Sequence, residues 1–194
     1  MLRIFLSASV PLPERDAEFL ATADVVAIRE AVKALVSEVL PFGKIVFGGH
    51  PAITPLICML LRGLELEDRK RVILYQSSYF ERNFLPEIQE FIEYRNTPVV
   101  GFSREDSLAE MRRRMIGDTP FDVGVFIGGM EGVIEEFEIF SELHPRAKIW
   151  PVASTGAAAL KIFQRTPQYA QSPFLFELTY ETLFRRLLAQ LRGS

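Results

Sequence analysis

Three short segments of glycine or serine follow three predicted strands, and together they could bind an anion. The segments are Ser7-Ala8-Ser9, Gly48-Gly49-His50 and the run from Gly128 to Gly132. A helical pattern follows each of the two glycine pairs. A strand, small residues and a helix N-terminus bring backbone N–H groups up to a phosphate or carboxylate. In a parallel sheet the three loops leave the same edge, so the sequence predicts one site for a nucleotide or sugar phosphate.

Each of these residues also has a purely structural interpretation. Ser7 and Ser9 would offer hydroxyls to phosphate or ribose, or else they only end a strand. His50 either contacts the ligand or caps and packs locally. The glycines either let the backbone approach a ligand or permit tight turns. On the ligand-binding interpretation the candidates are Ser7, Ser9, Gly48, Gly49, His50, Gly128, Gly129 and Gly132.

The composition is that of a packed globular chain without a strong charge bias. Of the 194 residues 48% are hydrophobic and 24% are charged, and the formal net charge is −3 with an isoelectric point near 5.6. This balance provides no domain-wide basic patch, so nucleic acid is not expected as a partner. A phosphate would have to be held by backbone groups and a few arginines.

The cysteine content and the start of the chain predict a cytoplasmic protein. Cys58 is the single cysteine, so no internal disulfide can form. The start, Met1-Leu2-Arg3-Ile4, lacks the long apolar region of a signal peptide, and no apolar run approaches membrane-spanning length. No membrane partner is therefore expected. Because the sequence has no metal-ligand spacing, no Walker A pattern and no Gly-x-Gly-x-x-Gly after the first strand, we expect neither a metal nor a cofactor.

Strand and helix patterns alternate along the whole chain. A short helix is predicted from Pro86 to Tyr94. Asp24 is the candidate N-cap of one longer helix, and Ser103 or Asp106 is the candidate N-cap of another. This alternation predicts an α/β fold with three layers, a mainly parallel sheet covered by helices on both faces, in one domain over residues 1–194. The six predicted strands are Leu2–Leu6, Lys44–Phe47, Val72–Tyr75, Pro98–Phe102, Asp122–Ile127 and Lys148–Val152.

Two segments resemble the LOG proteins, the cytokinin-activating phosphoribohydrolases long misnamed lysine decarboxylases. The run Ile45 to Ile53 resembles that family's strand ending in a glycine-rich turn. The run Glu110 to Glu136 is similar to its helix with a Met-x-x-Arg-Lys pattern, followed by a strand and Pro-Gly-Gly-x-Gly-Thr-x-x-Glu. On this match Arg114 falls on the family's catalytic arginine and Glu136 on its catalytic glutamate.

Several departures from that pattern point to the wider SLOG superfamily. Ile127 replaces the proline, one extra residue precedes Gly132, Val133 replaces the phosphate-contacting threonine, and Met115 replaces the lysine. SLOG proteins include DprA-like proteins, the amino-terminal region of TRPM channels and nucleotide sensors of bacterial conflict systems, many of which bind nucleotide derivatives without cleaving them. The resemblance thus implies a Rossmann-like, nucleotide-binding SLOG domain with a degenerate LOG motif.

The run Arg112-Arg113-Arg114 leaves open which arginine faces the predicted site. The match selects Arg114, whereas helical spacing places Arg112 nearer the apolar stripe of Leu108 and Met115. We follow the match, so that Arg114 would pair with a phosphate or carboxylate and Glu136 would accept from ribose hydroxyls. Glu135 and Glu136 lie in the first turns of a predicted helix, where the helix dipole favours acidic residues. The dipole alone therefore accounts for the presence of one of the two.

The resulting hypothesis is a signalling or sensor domain that binds a nucleotide-like small molecule at the carboxyl edge of the sheet. The alternative is a phosphoribohydrolase that cleaves the N-glycosidic bond of a nucleoside monophosphate, with Arg114 and Glu136 as its catalytic residues. A third interpretation is a scaffold whose pocket is vestigial. We also expect a homodimer, because the closing helix carries a wide apolar face, although that helix could instead only cover the sheet. That face comprises Leu183, Phe184, Leu187, Leu188 and Leu191, and the preceding segment adds Phe174, Leu175 and Phe176. The long aromatic helix after Gly129 is a second candidate surface.

Overall fold

The fold is a six-stranded sheet in which every neighbouring pair of strands is parallel. A computed structural model describes residues 1–14, 17–101, 103–169 and 172–192. The strand order is β4-β3-β2-β1-β5-β6, which confirms the three-layer, Rossmann-like α/β fold predicted from the sequence. The strands are β1 (Leu2–Ser9), β2 (Gly43–Gly48), β3 (Val72–Ser77), β4 (Glu93–Thr97), β5 (Val123–Gly128) and β6 (Lys148–Val152).

Helices cover both faces of the sheet. The predicted N-cap Asp24 is confirmed, because its carboxylate accepts a hydrogen bond from the Ala27 N–H at 2.9 Å. Of the two candidates Ser103 and Asp106, Ser103 is the cap, because its hydroxyl accepts a hydrogen bond from the Asp106 N–H at 3.0 Å. The described α-helices are α1 (Ala17–Leu20), α2 (Val25–Val39), α3 (Thr54–Leu61), α4 (Leu66–Arg69), α5 (Arg104–Gly117), α6 (Glu131–Leu143), α7 (Ala157–Arg165) and α8 (Tyr180–Arg192).

The core consists of two apolar layers separated by the sheet. On one face α2, α3 and α8 pack on the inward side chains of the strands, with Ile28 and Leu35 fully buried. On the other face α5, α6 and α7 pack around Phe5 and Phe140, whose rings stack at 5.5 Å. Central strands that are buried on both faces require nearly continuous apolar sequence, which is why these strands were recognisable.

The chain reverses its direction of travel across the sheet between β1 and β5. It moves outward from β1 through β2 and β3 to β4, and it then returns to the other side of β1 for β5 and β6. At this switch point the ends of β1 and β5 are in register, with Ser9 opposite Gly128. Ligands of open parallel sheets bind at the carboxyl ends of strands at such a point.

The fourth strand was predicted in the wrong place. The apolar run Pro98–Phe102 is not a strand: Val99 and Val100 are exposed, Gly101 has a φ of +63°, and Phe102 lies outside the described residues. The edge strand is instead the polar segment Glu93–Thr97, and the helix expected from Pro86 to Tyr94 is reduced to a 3₁₀ turn, Pro86–Glu90. An edge strand has one solvent-facing border, so its sequence need not be apolar.

The closing helix α8 covers the sheet rather than offering a free apolar surface. Leu183, Phe184 and Leu188 are buried against the rest of the core, on the face that also carries α2. The sequence argument for a dimer through this helix is therefore wrong, although the oligomeric state itself stays a prediction. Among the described residues no helix combines the length and apolar character needed to cross a membrane.

Candidate functional site

A cavity of about 1010 Å³ lies at the carboxyl ends of β1, β2 and β3, between α5 and α6. It has the size of a pocket that binds a small-molecule ligand. Ser9 and Gly49 line it at the strand ends, Gly132 lines it at the start of α6, and Arg112 lines it from α5. The cavity therefore occupies the switch-point edge of the sheet, where the sequence predicted a site.

The turn between β5 and α6 requires glycine. Gly128 and Gly129 have φ values of +56° and +94°, which L side chains rarely adopt, and a β-carbon on Gly129 would lie 2.4 Å from Val133 Cγ2. Val133 is buried in this contact. The residue that replaces the LOG threonine thus packs against the turn instead of offering a hydroxyl to a ligand.

The first turn of α6 presents free backbone donors. Its N-cap residue, Met130, makes no side-chain capping bond, and the Val133 N–H donates to the Met130 carbonyl at 2.9 Å. In the described part of the chain nothing accepts from the N–H groups of Glu131 and Gly132. Such unpaired donors at a helix N-terminus favour an anion.

A buried polar network joins β1, α5 and α6 beside the cavity. The Ser7 hydroxyl donates to Glu136 Oε2 at 2.6 Å, and Arg112 Nε lies 3.5 Å from Glu136 Oε1. Arg112 Nη1 also pairs with Glu135. The side chains of Arg112 and Glu136 are each only 14% exposed. Arg112 is consequently neutralised by two carboxylates.

Glu136 has the electrostatic character of a functional carboxyl group. Burial raises the pKa of Glu136 above its ordinary value, and the opposing effects of the Arg112 charge and the Ser7 hydrogen bond do not cancel it. A carboxyl group with a raised pKa at a cavity is suited to proton transfer. It can also accept hydrogen bonds from a ligand hydroxyl while it is ionised.

Arg112, and not Arg114, faces the cavity. Arg114 is half exposed, with its Nε 2.6 Å from Glu110 Oε1, and it does not line the cavity. The Arg112 guanidinium lies so close to Gly132 that a β-carbon there would stand 2.6 Å from Nη2. The structure thus places Arg112, which helical spacing favours, at the cavity and leaves Arg114, which the LOG match selects, outside it, because the arginine at the cavity follows the buried stripe of α5.

His50 is held as a neutral imidazole. The Ala52 N–H donates to His50 Nδ1 at 3.2 Å, so Nδ1 carries no proton and Nε2 does. Burial lowers the pKa of His50 to about 4. In the part of the chain that the structure describes, Nε2 has no hydrogen-bond partner. His50 lines the cavity and can offer it one uncharged donor.

The cavity brings together six of the ten residues proposed from the sequence. Ser7 reaches the site only through Glu136. Gly128 and Gly129 shape the turn without lining the cavity, and Arg114 points away from it. The six that line it are Ser9, Gly48, Gly49, His50, Gly132 and Glu136.

The sequence reasoning missed the third wall of the cavity. Gln76 is the penultimate residue of β3 and lies over Gly49, where a β-carbon would be 2.2 Å from the Gln76 amide nitrogen. Phe80, Asn83 and Phe84 follow in the 3₁₀ segment Ser78–Asn83 and just after it, and all line the cavity. The signal that could have found them is their position after a third parallel strand, at the same edge as the glycine loops.

Comparison with known proteins gives one result. A family model described as the SLOG cluster3 family matches residues 18–188. The match includes both glycine pairs, the β5–α6 turn, Arg112 and Glu136, and it begins after β1. No curated protein and no solved structure matches the chain significantly.

Proposed function

Because the chain belongs to the SLOG cluster3 family, we propose that it is a single domain that binds a nucleotide or nucleotide-derived ligand in the cavity at the switch point. The observation that carries the proposal is the set of free donors at this point. The N–H groups of Glu131 and Gly132 and the hydroxyl of Ser9 all border the cavity. In keeping with the other sensors of the SLOG superfamily, this binding would serve a signalling role.

The start of α6 is the proposed phosphate site. The loop Gly48-Gly49-His50 after β2 offers fewer free backbone donors. The Gly49 N–H donates to the Tyr75 carbonyl at 2.9 Å, and the His50 N–H donates to Thr54 Oγ1 at 3.0 Å. An anion at a helix N-terminus is stabilised by about 0.3–1 kcal/mol from the dipole alone, and by more where the site is partly buried. The loop after β2 then mainly shapes the cavity wall.

The aromatic wall after β3 is the proposed base site. The rings of Phe80 and Phe84 are partly buried, and Gln76 and Asn83 bring side-chain amides beside them. A base stacked on an aromatic side chain gains about 1–3 kcal/mol. Amide groups have both donors and acceptors for a base edge.

Binding without cleavage is favoured by the state of Arg112 and Val133. Arg112 already pairs with Glu135 and Glu136, so its charge is not available to position a substrate phosphate. Val133 offers no hydroxyl. The alternative, a phosphoribohydrolase, is supported by the raised pKa of Glu136. Chromatographic detection of free base after incubation with nucleoside monophosphates, absent in a Glu136→Gln variant, would establish the enzyme.

A thermal-shift screen against AMP, ADP-ribose, NAD and cyclic nucleotides tests the proposal. A ligand at about a hundred times its dissociation constant stabilises a protein by about 2.7 kcal/mol. In a chain of this size that raises the unfolding midpoint by roughly 5–10 °C.

Calorimetry on two serine variants then locates the site. Ser9→Ala should weaken binding about threefold to tenfold through a lost hydrogen bond, and Ser9→Asp should abolish it by placing a carboxylate against the phosphate. Ser37→Ala, on the exposed face of α2, is the matched control and should bind as the wild type does. The proposal is wrong if no nucleotide stabilises the protein, or if Ser9→Ala and Ser37→Ala bind equally well.

A further inference from the structure

The cavity carries an excess of negative charge. Six glutamates and two arginines line it, and neither lysine nor aspartate occurs among the described lining residues. His50 adds no charge at neutral pH because burial lowers its pKa to about 4. A site of this sign opposes a ligand with several phosphates, since carboxylates and phosphates repel each other.

Four of the glutamates form one stripe along α6. Glu131, Glu135, Glu138 and Glu142 are spaced by four, three and four residues, and all of them line the cavity. This spacing places them on a single helix face over about 16 Å. Of the two lining arginines, Arg112 is already paired with Glu135 and Glu136. Glu138 also lies 3.7 Å from Arg165, which does not line the cavity, so among the described residues Glu131 and Glu142 are the members of the stripe without a cationic partner and they keep this wall negative.

The opposite wall already holds a cation over an aromatic ring. The guanidinium carbon of Arg104 lies 5.9 Å from the centroid of the Phe80 ring. The Arg104 side chain is 42% exposed and its nearest carboxylate, Glu105, is 3.9 Å away, so it is loosely held. The ring face that borders the cavity is thus suited to a positive group, which an aromatic face attracts by its quadrupole.

An uncharged polar group completes the evidence that the cavity is built for a ligand. Ser9 is only 6% exposed, lines the cavity, and its hydroxyl has no hydrogen-bond partner within the described chain. The hydroxyl oxygen itself is not enclosed, so it is open to a ligand or to water in the cavity. The glutamates of the stripe are solvent-exposed, and Ser9 gives the cavity beside them an uncharged polar anchor.

We propose that the ligand of this site is a nucleotide with a single phosphate and a positively charged base, such as an N-alkylated pyridinium or an N7-methylated purine. The phosphate would bind at the start of α6 with Ser9. The cationic ring would stack on Phe80 in place of Arg104, within the field of the α6 glutamates. This inference rests on the proposed function and specifies the ligand class for the same cavity.

Two matched ligand pairs test it, because each pair differs essentially in the charge of the ring. The first is 7-methylguanosine monophosphate against guanosine monophosphate, and the second is nicotinamide mononucleotide against its reduced form. By calorimetry at low ionic strength the cationic member of each pair should bind about tenfold more tightly, and added salt should shrink this ratio. Equal binding within both pairs, or tighter binding of the neutral ring, overturns the inference and leaves the proposed function standing.

A glutamate variant separates the stripe from general charge effects. In the double variant Glu138→Gln/Glu142→Gln, the ratio of the affinities for the cationic and the neutral member of each pair should fall at least about threefold. Guanosine monophosphate should bind no more weakly than it does to the wild type. Glu181→Gln, on an exposed position of α8 outside the cavity, should leave the ratio unchanged. An unchanged ratio in the double variant would remove the stripe from the inference. If none of the four mononucleotides binds while a nucleotide of the thermal-shift screen does, the inference fails and the proposed function stands; if no nucleotide of either set binds, both fail.

Discussion

Ser7 and Glu136 are joined by a hydrogen bond of 2.6 Å although 129 residues separate them in the sequence. Ser7 lies near the end of the central strand β1, and Glu136 lies in the second turn of α6. The bond therefore connects the sheet to the helix whose N-terminus borders the cavity. The bond also holds the buried carboxyl group of Glu136 between the central strand and α6, where its protonation state affects the contact between them.

The protonation of Glu136 should make the stability of the wild type depend on pH. Because burial raises the pKa of Glu136 in the folded state, the folded protein binds this proton more tightly than the unfolded chain does. The contribution is therefore most favourable below the ordinary pKa and is lost as pH rises through the raised value. Glu136→Gln cannot ionise, so the wild type should lose stability relative to this variant from about pH 4.5 upward.

Urea unfolding of both proteins at several pH values between 4 and 8 measures this difference. The difference isolates one group, because the other carboxylates are common to the two proteins. A gap that stays constant across this range, or that changes in the opposite direction, would show that Glu136 is not held in the buried state described here.

Arg112 and Arg114 should respond very differently to truncation. Arg112→Ala leaves Glu136 without its buried cation, and we expect a loss of about 1–3 kcal/mol in the free energy of unfolding. Arg114 makes only an exposed pair with Glu110, so Arg114→Ala should change stability by less than about 0.5 kcal/mol. Chemical denaturation at pH 7 measures both, and equal effects would contradict the assignment of Arg112 to the site.

The sequence was sufficient for the fold because the buried strands and helix caps leave strong local signals. Strands β1, β2 and β5 are apolar on both faces, and Asp24 caps α2 as its residue type suggests. The edge strand β4 was misplaced because its burial, and hence its composition, depends on a single neighbour, β3. Only the three-dimensional arrangement identifies such a strand.

The site was predicted less completely than the fold. Ser9 and Gly132 were found because a strand followed by small residues is a local pattern. The choice between Arg112 and Arg114 depends on how α5 is rotated against α6, which a motif with one inserted residue does not fix. Gln76 and Phe80 were missed because their role comes from the parallel pairing of β3 with β2 and not from any local motif.

We still predict a homodimer, through the segment before α8 rather than through α8 itself. The apolar face of α8 is buried, whereas Phe176 and Leu178, just before α8, are 74% and 67% exposed. Exposed large apolar groups favour an interface, and two-fold homodimers are the commonest soluble assembly. Light scattering at micromolar concentration should give twice the chain mass of 22.1 kDa.

Substitution distinguishes this surface from others. Phe176→Ser/Leu178→Ser should return the mass of one chain, while Leu66→Ser, at an exposed leucine of α4, should leave the dimer intact. A wild-type mass of 22.1 kDa would refute the dimer, and a dimer that survives the double substitution would refute the surface.

His50 should make the protein less stable in mild acid. Its pKa is lowered to about 4 by burial, below the ordinary value of 6.5, so the unfolded chain binds this proton more readily than the folded protein. The stability due to the neutral imidazole is therefore complete above about pH 6.5 and is lost as pH falls toward 4. The loss amounts to at most about 3 kcal/mol.

His50→Asn removes this titration and keeps an acceptor near the Ala52 N–H, so its stability should fall less than that of the wild type between pH 7 and pH 4.5. Urea unfolding at the two pH values provides the comparison. His144→Asn is the matched control, because the His144 ring contacts the Ile116 carbonyl at 2.7 Å outside the cavity. If His50→Asn and the wild type lose stability in parallel, the fold does not lower the pKa of His50, and the neutral imidazole is not enforced by burial.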